Sequence, residues 1–348
     1  MRILGTILIL MAALAALQCA GAAYGQPAAA TDKAGDPPVV ATFSIVGFDP
    51  LTGELGVAVA SKFLAVGSVV PWARAGVGAV ATQAYANTTY GPEGLDLLAS
   101  GMSAQQVVDS LVKADSGRDQ RQVGIVDAEG RSATYTGKGC TVWAGGKAGP
   151  NFACQGNILV SQATVDAMAG TFERTEGELA IRLLEALKAG DAAGGDSRGR
   201  QSAALLVVKA GGGYSGFNDR YIDLRVDDHP QPIPELSRIL SIQLAYAELS
   251  RASALRQEGQ LDLALREAKA AADLNPNIPE VMYDLACYYA LNGMKGEALD
   301  ALKQALDLAP TFRRMASGDS DLVSLRDEPA FKQMVGQPEQ PEQPQGKP

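Results

Sequence analysis

The sequence predicts an α+β domain that is followed by an all-α helical module. Between residues 42 and 226, the predicted elements come in groups: strands, helices, strands, helices and strands again. Grouped strands and helices are typical of antiparallel sheets covered by helices, and two sheets packed face to face with a helical layer outside each fit this order. From residue 245 to residue 310 the pattern is helical and repeats with a period of 34 residues.

The strands are predicted from the alternation of apolar residues with small or polar ones. Residues 42–49 and 55–61 read TFSIVGFD and LGVAVAS, and Pro50 and Gly53 supply a turn between them. These two segments therefore predict a hairpin. Further strands are predicted at residues 76–83, 122–127, 132–136, 202–209 and 221–226.

The helices of this domain are predicted from apolar residues that recur on one helical face. Ser103 is a typical N-cap for a helix over residues 103–114. Other helices are predicted at residues 90–100, 164–172 and 178–189.

The repeat is carried by small residues and proline. Its period and residue types are typical of tetratricopeptide repeats, in which small side chains let two helices approach closely. Two repeats leave apolar faces uncovered, so we expect residues 234–249 and 321–335 to cap the stack, and the module to bind a protein partner. The matched positions are Gly259 and Gly293, Ala264 and Ala298, Ala271 and Ala305, and Pro276 and Pro310.

The N-terminus indicates export. Arg2 precedes an apolar run over residues 3–17, and small residues follow up to Gly25, a pattern typical of a cleaved signal peptide. An uncleaved membrane anchor is the alternative, and Gln18 disfavours lipidation at Cys19. The predicted organisation is a signal peptide at 1–25, a linker at 26–41, a domain at 42–240, helical repeats at 241–335 and a disordered Pro/Gln-rich tail at 336–348.

Composition excludes several classes of function. The net charge is -9 and the pI is about 4.8, which argues against nucleic-acid binding, because that requires a clustered positive face. We find no phosphate loop, dinucleotide fingerprint or tightly spaced set of metal ligands, so no cofactor and no metal are expected. Beyond the N-terminus no stretch is suited to span a bilayer, so an integral membrane protein is not expected, whereas a homo-oligomer remains possible.

Two cysteines leave an alternative open. Cys140 and Cys154 flank a segment rich in glycine, which predicts a hairpin with a long loop. In an oxidising compartment they either form a disulfide, worth ~3 kcal/mol, or remain two buried thiols. Cys287 lies in the helical repeats and is expected to be a core residue.

The sequence contains one histidine, which restricts the mechanisms that need a histidine as the general base. The one histidine, His229, precedes Pro230 and is expected in a turn, which disfavours a Ser–His–Asp mechanism. A threonine whose own α-amino group acts as the base needs no histidine. Thr42, which begins the first predicted strand directly after the linker, is the candidate.

Three long runs of sequence resemble a known family. The runs TFSIVGFDPLTGELGVAVASKFLAVGSVVPWARAGVGAVATQ, AGGDSRGRQSAALLVV and DLRVDDHPQPIPEL are similar to the bacterial family called domain of unknown function 1028. The resemblance covers residues 42–240. It implies the four-layer αββα fold of the N-terminal nucleophile (Ntn) hydrolase superfamily. That superfamily includes several amidohydrolases. Its fold alone does not determine the function of a member.

The resemblance also implies roles near Thr42. Thr42 would attack an amide carbonyl, Lys62 would lower the proton affinity of the amine, and Asn87 or Gln83 would donate to the oxyanion. Alternatively, Lys62 is a solvated strand end and Asn87 caps a turn.

The segment 194–201 is a second candidate for binding. It would hold an anionic or amide group of the substrate through Asp196, Arg198, Arg200 and Gln201. Alternatively, it is a tight connection in which Asp196 and Arg198 pair with each other.

Two functions follow from these residues. The first is an exported hydrolase of a small amide or peptide, such as a peptidoglycan fragment or an acyl-amino compound. Because cleavage near Gly25 would leave the nitrogen of Thr42 in an amide bond, this function requires a second cleavage between Ala41 and Thr42. The second is a non-catalytic periplasmic binding or scaffold protein on the same fold.

Overall fold

The structure, a computed structural model, describes residues 42–336. Within this range the chain forms two antiparallel sheets. Their strands are β1 (Thr42–Phe48), β2 (Leu55–Ser61), β3 (Pro71–Arg74), β4 (Gly78–Ala84), β5 (Arg121–Asp127), β6 (Ser132–Thr136), β7 (Gly145–Gly149), β8 (Phe152–Asn157), β9 (Ser202–Val208) and β10 (Arg220–Val226). The larger sheet has the order β10-β9-β2-β1-β8-β7, and the smaller has the order β3-β4-β5-β6.

Helices follow each group of strands and then fill the C-terminal region. They are α1 (Tyr90–Ala99), α2 (Ala104–Ala114), α3 (Ala163–Arg174), α4 (Leu179–Ala192), α5 (Pro232–Gln257), α6 (Leu261–Leu274), α7 (Pro279–Leu291), α8 (Lys295–Leu308), α9 (Phe312–Gly318) and α10 (Pro329–Val335). The mixed α+β architecture with antiparallel sheets and a helical C-terminal region is thus confirmed.

The two sheets pack face to face through apolar side chains. Val46 and Val57 of the larger sheet share a buried cluster with Ala81 and Val126 of the smaller one. Helices α1 and α2 cover the other face of the smaller sheet, and α3 and α4 cover the other face of the larger one. At about 25 cal/mol per Å² of buried apolar surface, these layers provide the main driving force for folding.

Helix α5 belongs to two apolar cores. Its first half, up to Leu244, packs in the core that α3 and α4 share with the larger sheet. From Ala245 onward it packs in the core of the C-terminal helices. The helix is continuous over 26 residues, and the predicted domain boundary at residues 240 and 241 falls inside it.

The recurring glycines of the 34-residue period end helices. Gly259 follows α5 with a φ of +78°, and Gly293 follows α7 with a φ of +74°. The next residue in each case donates its N–H back to the helix, Gln260 to Leu255 O and Met294 to Tyr289 O, both at 2.9 Å. This is the Schellman pattern, in which glycine accepts a left-handed conformation without a Cβ penalty. The recurring alanines Ala264, Ala271, Ala298 and Ala305 are completely buried.

The segment after α9 lies against α5 and α7. Asp321 accepts two hydrogen bonds from the Arg256 guanidinium at 2.5 and 2.6 Å, and Asp319 accepts one from the Tyr283 hydroxyl at 2.8 Å. Leu322 and Leu325 are fully buried in the same helical core. This segment therefore covers part of α7 that would otherwise face solvent.

A hairpin forms in this segment, but the predicted long loop between strands at Cys140 and Cys154 is wrong. Strand β7 lies between the two cysteines and pairs with β8, so Cys140 precedes the hairpin. Both thiols are free: Cys154 is buried beside α3 and α4, and Cys140 Sγ donates to Arg121 O at 3.4 Å. Cys154 is buried and Cys140 is half-buried, and burial raises the pKa of both thiols.

The predicted signal peptide, linker and tail, and Cys19, lie outside the described residues. Among residues 42–336, the structure contains no helix both long and apolar enough to cross a bilayer.

Candidate functional site

The candidate site lies at the end of the two sheets where β1 begins. Thr42, the first residue of β1, stands opposite Ser61 of β2 on one side and Asn157 of β8 on the other. In the smaller sheet, Gln83 of β4 stands opposite Gln122 of β5 at the same end. Two sheets and five strands therefore contribute polar residues to one place.

These residues occupy inward-facing positions that are apolar elsewhere in the strands. On β1, Thr42 and Ser44 alternate into the space between the sheets, and Val46 continues the same row. Each member is at most 2% exposed, and buried polar groups persist only when they are hydrogen bonded. We call this set the inter-sheet polar cluster; its members are Thr42, Ser44, Ser61, Gln83, Gln122, Gln155 and Asn157.

Gln122 is the centre of the inter-sheet polar cluster. Its Oε1 accepts hydrogen bonds from Gln83 Nε2 at 2.8 Å and from Asn157 Nδ2 at 3.0 Å. Its Nε2 donates to Thr136 Oγ1 at 2.8 Å, Gly156 O at 2.8 Å and Gly145 O at 3.2 Å. Because all three of these partners present oxygen to Nε2, the orientation of the Gln122 amide is fixed.

Thr42 is held at both its hydroxyl and its carbonyl group. Its Oγ1 donates to Ser61 Oγ at 3.2 Å, and its backbone oxygen accepts from Gln83 Nε2 at 3.2 Å. Gln83 Oε1 in turn accepts from Ser44 Oγ at 2.6 Å, and Ser44 Oγ accepts from Gln155 Nε2 at 2.7 Å. Ser61 and Gln83 are neutral, so these contacts fix Thr42 without adding charge.

Lys62 and Asn87 are directed to other groups. Lys62 is exposed, and its Nζ donates to Arg200 O at 3.4 Å. Asn87 Nδ2 donates to Asp115 Oδ2 at 3.3 Å, and its Oδ1 accepts the N–H of Thr89, which is a turn-capping contact. These contacts agree with a solvated strand end and a turn cap.

The cations of the 194–201 segment are paired within the protein. Arg198 forms an ion pair with Asp196 at 3.1 Å, and Arg200 forms one with Asp191 at 2.7 Å. The buried Asp196 carboxylate also accepts the N–H of Lys62 at 2.9 Å. The segment is therefore tied to the residue that follows Ser61, and the pairing of Asp196 with Arg198 is observed.

A cavity of about 310 Å³ lies against this segment. Its lining includes Asp191, Asp196, Ser197 and Arg200. Gln201 does not line it; its side chain donates to Asp228 Oδ1 at 3.2 Å, and its N–H donates to Ser61 O at 3.1 Å. Since both guanidinium groups are neutralised by carboxylates, the cavity suits a neutral polar group better than an anion.

A half-buried ion pair between Asp115 and Arg121 lies at the start of β5, beside the inter-sheet polar cluster. Asp115 accepts hydrogen bonds from Arg121 Nε at 2.9 Å, Gly117 N at 2.7 Å and Tyr90 Oη at 3.0 Å. Burial alone would raise the pKa of Asp115, but these bonds outweigh burial and lower it to about 2.

We expect Asp115→Asn to lower the free energy of unfolding by on the order of 2 kcal/mol at pH 7. The folded pKa lies below the unfolded value, so this stabilisation is complete above about pH 4 and is lost as the pH falls toward about 2. Urea unfolding of both proteins at several pH values measures the difference. Asp96→Asn is the matched control, because Asp96 forms an exposed ion pair with Arg74 and is expected to change stability little. A difference that persists at pH 2 would contradict this assignment.

Possible metal ligands come together elsewhere, in the helical region. Within residues 42–336, Cys287, Asp319 and Asp321 form such a group. Arg256 and Tyr283 already bond the two carboxylates, and burial raises the pKa of the Cys287 thiol, so these atoms are engaged in protein contacts.

Several members of the inter-sheet polar cluster were not predicted from the sequence. Ser44, Ser61, Gln122, Gln155 and Asn157 were not singled out. The available signal was alternation: in β8, which reads FACQGN, Gln155 and Asn157 follow Ala153 on the inward face at a spacing of two. The predicted hairpin implied a strand at Cys154 but gave it no bounds, because its neighbouring glycines resemble a loop.

The family comparison agrees with this geometry. The model of a family of unknown function, DUF1028, matches residues 42–236. The chain belongs to the DUF1028 family. The matched segment begins at Thr42 and contains both sheets and the whole inter-sheet polar cluster.

A solved DUF1028 structure is similar to this chain. The crystal structure of protein SPO2555 from Silicibacter pomeroyi shares 33% sequence identity, covers 57% of this chain and 84% of its own, and gives a TM-score of 0.53. A search of curated proteins found no match. The relatives therefore establish the family and leave the activity to be argued from the site.

Proposed function

We propose that this DUF1028 protein is an exported amide hydrolase of the Ntn type, with Thr42 as the nucleophile after cleavage between Ala41 and Thr42. The observation that carries the proposal is the position of Thr42. It begins β1 at the end of two facing sheets, with its hydroxyl bonded to Ser61 and its carbonyl to Gln83. The helices outside each sheet support the four-layer αββα order of that superfamily.

In the proposed reaction, the free α-amino group of Thr42 takes the proton from Oγ1 as Oγ1 attacks the amide carbonyl. The C–N bond then breaks, the amine leaves with that proton, and an ester remains on Thr42. Water hydrolyses the ester and restores the hydroxyl. This hydrolysis consumes one water molecule and requires no cofactor or oxidant.

The surroundings of Thr42 suit an amine that acts as a base. Ser61 and Gln83, which both bond Thr42, are neutral, so neither adds a negative charge that would favour the ammonium form. An α-amino group has an ordinary pKa of about 7.7–8, so a fraction of it is the neutral base at pH 7.

Other residues act by position in this proposal. Gln83 Nε2 already bonds Thr42 O and Gln122 Oε1, so it orients Thr42 and has no hydrogen left for an oxyanion. The cavity at Asp196 and Arg200 would hold the acyl side of a small amide, such as a peptide, peptidoglycan fragment or acyl-amino compound. Asn87 Nδ2 uses one of its two hydrogens on Asp115 Oδ2, so its second hydrogen keeps Asn87 a candidate oxyanion donor.

We further propose that the C-terminal helices are tetratricopeptide repeats that bind a protein partner. The buried alanines and the helix-ending glycines, each recurring after 34 residues, support this assignment. The segment over Asp319 and Asp321 occupies part of α7, so a partner would use the remaining surface.

A second candidate function is a non-catalytic periplasmic binding or scaffold protein. One observation favours it: Thr42 is 0% exposed in the full chain. A buried hydroxyl cannot reach a substrate, so the burial of Thr42 in this structure favours binding over catalysis.

The N-terminus of the exported protein decides between the two candidates. We expect intact-mass analysis and N-terminal sequencing to show a chain that begins at Thr42, because only a free amine can serve as the base. Protein expressed without residues 1–41 and with a removable Met provides the mass standard. An exported chain that retains residues 32–41 would reject the hydrolase and favour the binding protein.

A further inference from the structure

Two buried acceptors of the inter-sheet polar cluster, Asn157 Oδ1 and Gln155 Oε1, have no hydrogen-bond partner within residues 42–336. Asn157 is 0% exposed. A polar atom in this position is costly, since it has lost water and gained nothing in exchange. An unpaired buried acceptor of this kind needs an explanation, and one explanation is a donor that the functional state supplies.

The orientation of this amide is dictated by its neighbours. Gln122 Nε2 faces oxygen acceptors, so Gln122 Oε1 must face donors, and one of these is Asn157 Nδ2 at 3.0 Å. Turning the Asn157 amide over would set two carbonyl oxygens against each other. The end left over is therefore an acceptor, which requires an N–H or O–H partner.

The strand register identifies a donor. Asn157 is the last residue of β8 and the Cα partner of Thr42 across the β1–β8 ladder. Directly opposed residues in antiparallel strands have Cβ atoms about 4.5–5.5 Å apart. The α-amino group that cleavage creates at Thr42 would thus appear within reach of the unused oxygen.

We propose that Asn157 is a positioning residue whose Oδ1 accepts a hydrogen bond from the α-amino group of mature Thr42. This inference rests on the proposed function. The bond would fix one N–H of the amine, and the nitrogen lone pair would then be oriented toward Oγ1 of the same residue. Asn157 thus acts through the amine and does not touch the substrate.

Gln155 provides a matched comparison. Its Oε1 is also buried without a partner, but Gln155 pairs with Ser44, two residues inside β1, where no amine can form. A Cβ on Gly124 would stand 1.9 Å from this oxygen, so the oxygen is packed against the backbone of β5. The side-chain amides of Asn157 and Gln155 are both buried, but only Asn157 lies opposite Thr42, where the new N-terminus would form.

The test uses mature protein beginning at Thr42 and an aliphatic β-lactone, which acylates the Thr42 hydroxyl with opening of its ring. The pH dependence of the labelling rate, followed by intact mass, reports the protonation of the amine. In Asn157→Asp, a carboxylate beside the amine favours the ammonium form, so the acid limb should move up by about one pH unit or more. Gln155→Glu introduces the same charge farther away and should leave the limb in place.

The nearby charged groups are common to both variants. Lys62 bonds Arg200 O, Asp196 pairs with Arg198, and Arg121 pairs with Asp115. Asn157→Ala and Gln155→Ala form a second pair that adds no charge. We expect the first to slow labelling at least tenfold at its optimum pH and the second to slow it much less.

The outcomes separate this inference from the proposed function. A wild-type chain that begins at Thr42 and is labelled there, together with an unchanged acid limb in folded Asn157→Asp, would overturn the role of Asn157 alone. If Asn157→Asp does not fold, equal labelling rates in the two alanine variants would overturn it. A wild-type Thr42 that is not labelled would overturn both.

Discussion

Replacing Thr42 by alanine is expected to reduce β-lactone labelling of the mature protein by about a thousandfold or more. In the wild type, Oγ1 attacks the lactone carbonyl, the ring C–O bond breaks, and the released oxygen takes up the hydroxyl proton. The amine that receives this proton belongs to the same residue. Alanine retains the amine and lacks the hydroxyl, so no ester can form, and intact mass should show unlabelled protein.

Two variants control for loss of structure. Thr42→Ser keeps both the hydroxyl and the amine and should be labelled at the same position. Thr52→Ala removes the hydroxyl of an exposed turn threonine that accepts the N–H of Glu54 at 3.3 Å, and it should be labelled like the wild type. Equal labelling of folded Thr42→Ala would identify another nucleophile and reject the proposed mechanism.

Replacing Gln122 by leucine should cause the largest loss of stability, about 3–5 kcal/mol in the free energy of unfolding. Leucine fills a similar volume but leaves Gln83 Nε2 and Asn157 Nδ2 without their shared acceptor. It also removes the donor to the carbonyl groups of Gly145 and Gly156. Each buried polar atom left without a partner costs about 1–3 kcal/mol. Urea unfolding at pH 7 measures the total.

The control for this variant is another glutamine. Gln105 on α2 is exposed and bonds Asp109 at 2.9 Å, so Gln105→Leu should change stability by no more than about 0.5 kcal/mol. A loss below about 1 kcal/mol in Gln122→Leu would mean that water replaces the missing partner, and the inter-sheet polar cluster would then be open to solvent.

The part of the fold that could be predicted depended on local patterns. Alternation along residues 42–49 and 55–61 led to β1 and β2, and the 34-residue period led to the C-terminal helices. Strand β7 was missed because Gly145 and Gly149 resemble a loop, and β8 was implied only as the strand that carries Cys154. Their pairing depends on β1, which precedes them by about a hundred residues.

The candidate site was predicted at Thr42 and Gln83 and missed elsewhere for a similar reason. A long side chain such as Lys62 can reach several partners, and only the packed structure shows that its Nζ meets Arg200 O. Gln122 looks ordinary in the sequence because its importance comes from residues on β4, β6 and β8. Pairings between distant segments decide which polar residues become a site.

Helix α5 joins the sheet domain to the C-terminal helices without an intervening loop. At 1.5 Å per residue its 26 residues span about 39 Å. A protein partner bound to the C-terminal helices, as proposed above, would be held at a fixed distance and angle from Thr42. A substrate that this partner presents would have to extend over that distance to Thr42. The length of α5 is therefore a criterion for identifying the partner.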